Sequence, residues 1–155
     1  MVTLRRAAEE DSAVIQQIQV KAFAPLLVRY KDHDSSPAAE SRDDILRRFA
    51  QRFTDYYLIC LGEEKIGVLR VCNFGMECRL SPIGIVPDHQ GHGYAQRAMR
   101  IAEQLYPKAR RWTLETIAQE PKLCYLYEKM GYRKTGRVEH IKEGMDLVYY
   151  EKEVN

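Results

Sequence analysis

Long apolar runs are missing from this chain: no stretch approaches the roughly 20 residues that a membrane-crossing helix needs. The first residues, MVTLRRAAEED, meet charge at once and hold no apolar signal core, so the expected location is cytoplasmic, with no membrane partner. Charge of one sign is missing too. Lysine and arginine total 24 against 22 acidic residues, and no basic block stands out, which excludes the footprint of a nucleic-acid binder. Cysteine is sparse. Cys60, Cys72, Cys78 and Cys124 lie in or beside apolar segments without a CxxC pair, and the four histidines are scattered. Buried thiols are expected, and no metal site. There is no repeat, low-complexity tract or linker, and 155 residues suit one domain over 1–155.

What is present is periodicity that changes along the chain. Val2 to Arg6 reads as a short strand. Val14, Ile15, Ile18, Ala22 and Leu26 recur at helical spacing up to Tyr30, and Pro25 is expected to kink or divide that helix. The polar segment Lys31 to Glu40 reads as a loop. A second helix starts near Ser41, which can pair with Asp44 in a capping box. Tyr56–Leu61 and Ile66–Cys72 read as a hairpin across the turn Gly62–Lys65. Glu77–Val86 is a third strand, interrupted by Pro82 and Gly84, where a bulge or a parting of strands is expected. A helix from about Gly91 to Leu105, a strand Arg111–Ile117 and a helix Lys122–Met130 follow. Strands near Tyr132–Val138 and Asp146–Lys152 close the chain. This order predicts an α/β fold with a mixed sheet.

The segment IGIVPDHQGHGYAQRAM, Ile83 to Met99, is the most informative. A β-branched strand runs through Pro87 into Gln90-Gly91-His92-Gly93-Tyr94-Ala95 and then a helix. Unpaired amides at a helix N-terminus favour negative charge, and glycine lets backbone approach phosphate oxygens. The Walker pattern fails in spacing and lysine, and the dinucleotide pattern meets Gln96 where a third glycine is needed. What fits is [QR]-x-x-G-x-[GA], here Gln90, Gly93 and Ala95. Downstream, Leu126-Tyr127-Glu128-Lys129-Met130-Gly131-Tyr132 matches an LYEKxGF signature. With these two segments the chain resembles the GNAT superfamily of N-acetyltransferases. It departs at Glu120 and Leu123, where family members often carry asparagine and alanine.

The resemblance implies a GNAT-like fold, with six to seven mostly antiparallel strands and about four helices. It implies acetyl-CoA as cosubstrate, held by Ile83, Ile85, Val86, Gln90, Gly91, His92, Gly93, Tyr94, Ala95 and Tyr127. It further implies a small-molecule amine acceptor that attacks the thioester directly, in a monomer or homodimer. Tyr127 is implied as the acid that protonates the leaving thiolate, and the Ile85 N–H as donor to the thioester oxygen. Leu123, Leu126, Tyr127 and Met130 also share one helical face, so Tyr127 could equally be a core aromatic. Glu77, thirteen residues before Gln90, is implied as the base, against an ordinary strand glutamate. Tyr30, Asp32, His33 and Asp34 suit recognition of a cation, as do Glu139 and His140. A protein or peptide acceptor, and a non-catalytic acyl-CoA-binding module, remain open readings.

Overall fold

The computed structural model describes residues 1–154. Seven strands form one sheet in the order β1-β2-β3-β4-β5-β7-β6. They are β1 Val2–Arg6, β2 Thr54–Leu61, β3 Glu64–Asn73, β4 Glu77–Ile85, β5 Arg111–Ile117, β6 Arg133–Lys142 and β7 Met145–Glu153. Every neighbouring pair is antiparallel except β4 with β5. Four helices complete it: α1 Ser12–Tyr30, α2 Arg42–Phe49, α3 Tyr94–Leu105 and α4 Pro121–Lys129. This is the α/β, mostly antiparallel architecture expected from the sequence.

Alternation along the strands divides the core. Tyr56, Leu58 and Val68 meet Ile15 and Ile18 of α1 and Ile45 of α2 on one face. Leu69, Trp112 and Leu114 meet Ala98, Met99 and Ala102 of α3 and Tyr127 of α4 on the other. The capping box forms as the sequence predicts. Ser41 Oγ accepts from the Asp44 N–H at 3.1 Å, and Asp44 returns a bond to the Ser41 N–H at 2.8 Å.

Of the two outcomes expected at Pro25, division is excluded, and one helix boundary needs correction. Pro25 does not divide α1, which runs unbroken to Tyr30. Proline deprives the carbonyl four residues back of its partner, but Lys21 and Pro25 are both exposed, so water can serve that carbonyl. Helix α3 begins at Tyr94, not Gly91, because Gly91 and Gly93 sit at φ 80° and 79°, outside the α region.

β4 is where the sheet becomes irregular. Leu69 faces Ile83, whereas Val71 faces Leu80, so β4 carries an extra residue at Ser81–Pro82. Proline cannot donate to a ladder, and a bulge absorbs it. β4 then pairs with β5 only over Glu77–Arg79 against Arg111–Thr113. Beyond the bulge the two strands part. Helix α1 crosses β4 closely there: a Cβ on Gly84 would lie 2.6 Å from the Phe23 ring and 3.1 Å from the Ala22 methyl.

Candidate active site

The turn between β4 and α3 is built by sterics first. Left-handed φ at Gly91 and Gly93 lets the chain reverse, and a Cβ at either position would meet nothing within 4 Å. The space beside both glycines is open. Backbone accounting gives the turn its chemistry. His89 and Gln90 donate to the carbonyls of Val86 and Pro87, and Arg97 donates to Gly93, but the N–H groups from Gly91 through Gln96 donate to no group among the described residues. A run of unspent donors on a helix N-terminus is an anion cradle. Tyr94 forms one wall. Its ring stacks on His92 with centroids 5.5 Å apart, and the Arg97 guanidinium lies 5.9 Å from its centre.

The cradle adjoins the opening between β4 and β5. The Val86 N–H donates to Ile66 at 2.8 Å, which spends the β3-facing bond at that position. Antiparallel alternation therefore turns the N–H groups of Ile85 and Ile83 away from β3, toward the side where β5 has departed. The Ile85 carbonyl faces the same way and accepts from Gln90 Nε2 at 2.8 Å, which ties the cradle to the strand end. Val86, with its N–H spent, only leads the chain into the turn.

Tyr127 belongs to the core on the α3–α4 side, with ring centroids 6.3 Å from both Tyr132 and Tyr150. Its hydroxyl makes no hydrogen bond among the described residues. Burial raises its pKa above the ordinary phenol value, with smaller contributions from Cys124 and Glu115. The phenol therefore holds its proton at neutral pH.

The acetyltransferase (GNAT) family model matches residues 12–132, which is most of the chain. The chain belongs to that family. Members use acetyl-CoA, and the cradle and the strand opening fit the family's cosubstrate. Among solved structures, the ribosomal-protein-S18-alanine N-acetyltransferase from Escherichia coli aligns with a TM-score of 0.80 at 15% identity, covering 100% of this chain and 95% of that one. The PaiA N-acetyltransferase from Thermoplasma acidophilum, in complex with coenzyme A, aligns at 0.80 with 14% identity and 99% coverage of both chains. Spermidine N-acetyltransferase from Vibrio cholerae, in complex with CoA and spermine, aligns at 0.75 with 19% identity, covering 97% and 94%. These likenesses establish the fold. No curated protein sequence matches the chain.

Other residues singled out in this GNAT chain are not all brought together. Glu77 lies at the opposite end of β4 from Ile85, on the order of 25 Å along the strand. The bulge also reverses parity: Cys78 and Leu80 point into the α3–α4 core before it, Ile85 after it, so Glu77 and Ile85 face opposite sides. Glu77 instead accepts from Arg111 Nη1 at 2.8 Å. Tyr30 donates to Glu120 at 2.5 Å, beside a bond of the same length from Arg29, and so ties the end of α1 to the start of α4. Burial, then Glu120, raises the pKa of Tyr30. Asp32 closes the turn after α1, its carbonyl accepting from Ser35 and Ser36, and its Oδ1 is buried without a partner. His33 and Asp34 are exposed. Glu139 is exposed, and His140 Nδ1 lies 2.9 Å from Asp146. Among the described residues no group of acidic, histidine or cysteine side chains is arranged to hold a metal, and no helix is long and apolar enough to cross a membrane.

Sequence reasoning missed a groove of about 440 Å³ on the α1–α2 side of the sheet, where β4, β5, β7 and β6 lie side by side. Arg111, Thr113 and Glu115 face it, while Trp112 and Leu114 face the opposite core. The alternation was visible in the sequence; the neighbours Arg79 and Arg137 were not.

Proposed function

We propose that this chain is an acetyl-CoA-dependent N-acetyltransferase, a single domain over residues 1–155, that acetylates a primary amine of a small molecule by direct attack in a ternary complex. The observation that carries the reading is the run of unspent amides from Gly91 through Gln96, set against the opening between β4 and β5. When bound, acetyl-CoA supplies the activated acyl group.

The chain's residues do the rest. The cradle amides and the N-terminal end of α3 neutralise pyrophosphate charge, with His92, Tyr94 and Ala95 shaping its wall. The N–H groups of Ile85 and Ile83 donate to oxygen on the open side, where charge develops during acyl transfer. Tyr127, protonated and without a protein partner, gives its proton to the departing sulfur. Glu77 is held by Arg111, so the amine's proton leaves through water in the opening. Tyr30, Asp32, His33 and Asp34 border the end of α1, where acidic and aromatic groups would suit a cationic amine.

The test pairs coenzyme A calorimetry with thiol release across an amine panel. Gly93→Glu puts a carboxylate in the cradle and forces an L residue into left-handed φ, a strain of about 1–2 kcal/mol. The variant should stay folded and lose coenzyme A affinity. Wild-type affinity in the folded variant would remove the reading.

A further inference from the structure

The groove on the uncovered sheet face has a charge pattern that its own residues do not complete. Arg79 pairs with Glu115 across β4 and β5, its Nε donating at 3.1 Å. Arg111 pairs with Glu77 at 2.8 Å and with Glu151 at 3.0 Å. Both acids that line the groove, Glu77 and Glu115, are thus taken. Arg137 is the arginine left over. Its guanidinium lies over the Tyr149 ring, 4.1 Å from the centroid, and pairs with no carboxylate among the described residues. A second unspent donor lies in the same wall: Arg111 Nε is buried and has no partner.

The position matters as much as the charge. Glu115 and Tyr149 are direct partners across β5 and β7, and they lie level with the place where β4 and β5 begin to part. The groove that holds Arg137 therefore has one end, at Glu115 and Tyr149, beside the start of that opening. The guanidinium lies over β7; with strands ~4.8 Å apart and Ile83 and Ile85 further along β4 than the level of Glu115, it stands on the order of 10 Å from the amides on the open side.

We infer that the acceptor carries an anionic group, carboxylate or phosphate, several bonds from its amine, and that Arg137 stacked on Tyr149 binds that group while the amine enters the β4–β5 opening. This rests on the acetyltransferase reading and narrows its substrate class. A guanidinium that sits over a ring spends its charge on no acid and keeps its N–H fork for carboxylate or phosphate oxygens. The span suits an ω-amino acid. An α-amine is too close to its own carboxylate to bridge it.

The experiment measures kcat and KM by thiol release for acceptors matched in their amine: lysine against cadaverine, ornithine against putrescine, and 4-aminobutyl phosphate against butylamine. The acceptors with an anion should exceed their partners in kcat/KM by roughly ten- to a hundredfold, the usual worth of charge-assisted hydrogen bonds. Which anion does better separates carboxylate from phosphate. In Arg137→Gln that ratio should fall toward one, mainly through KM, and Arg137→Lys should be intermediate because charge remains but the fork is lost. Arg137 lies on an exposed strand, so both variants should melt as the wild type does. Equal or better turnover of the plain amines, or a ratio that survives Arg137→Gln, would overturn the inference while leaving the acetyltransferase intact. No thiol release with any amine would instead overturn both.

Discussion

A single hydroxyl separates the two roles that Tyr127 could play. Its ring is held by Tyr132 and Tyr150, so the aromatic face of α4 contributes to the core whatever the oxygen does. The oxygen has no protein partner, so removing it strands no buried donor or acceptor. Tyr127→Phe should therefore leave thermal stability within about 0.5 kcal/mol of wild type. If the hydroxyl protonates sulfur, kcat should fall by roughly 10² to 10⁴ while the coenzyme A Kd barely moves. The raised phenol pKa fixes the sign of the pH dependence. Activity should show no loss from Tyr127 ionisation as pH rises through the ordinary phenol value, because its proton leaves only above it. Wild-type kcat in the phenylalanine variant would reduce Tyr127 to a core aromatic.

Elements meet most tightly where α1 crosses β4. Gly84 is permitted there because Phe23 and Ala22 occupy the space a side chain would need. Gly84→Val should destabilise by about 1–3 kcal/mol through overpacking. The Phe23 ring can swing aside, but the Ala22 methyl moves only with the helix, so α1 must shift bodily. A Phe23→Ala background should recover part of the loss, and a double-mutant cycle on thermal melts measures it. Strictly additive losses would show that the ring does not carry the clash. From that crossing α1 continues to the clasp of Arg29 and Tyr30 on Glu120, at the start of α4. Glu120 stands where family members often carry asparagine, and here its carboxylate joins two helices.

For the molecule as a whole, the cradle predicts a selective thermal shift. A ligand that binds only the folded chain stabilises it by about 2.7 kcal/mol at a hundredfold excess over Kd. For a domain of this size that raises Tm by roughly 5–10 °C. Coenzyme A should give this shift. NAD and ATP should give much less, since neither a third glycine nor a Walker lysine is present. An equal shift from NAD in differential scanning fluorimetry would point the cradle toward a different ligand.

Much of this was legible in the amino acids because the physics concerned is local. Helical and strand periodicity, the Ser41–Asp44 box and the paired glycines depend on neighbours a few residues away, and all seven strands and four helices were anticipated in order. The two motifs carried the family for the same reason, each being one turn or one helix face. Boundaries shifted where tertiary context intervened: water on the exposed side excused Pro25, and φ at Gly91 delayed α3. The rest was decided between segments far apart in the chain. Unbroken period two would put Glu77 and Ile85 on one face of β4, but the bulge opposite Arg70 reversed that parity and Arg111 claimed the Glu77 carboxylate. Arg137 looked like any strand arginine until β6 paired with β7 and laid it on Tyr149. Spacing along a strand determines which side chains alternate; which strand lies alongside, and in what register, is set by burial of both faces at once, and that belongs to the folded sheet alone.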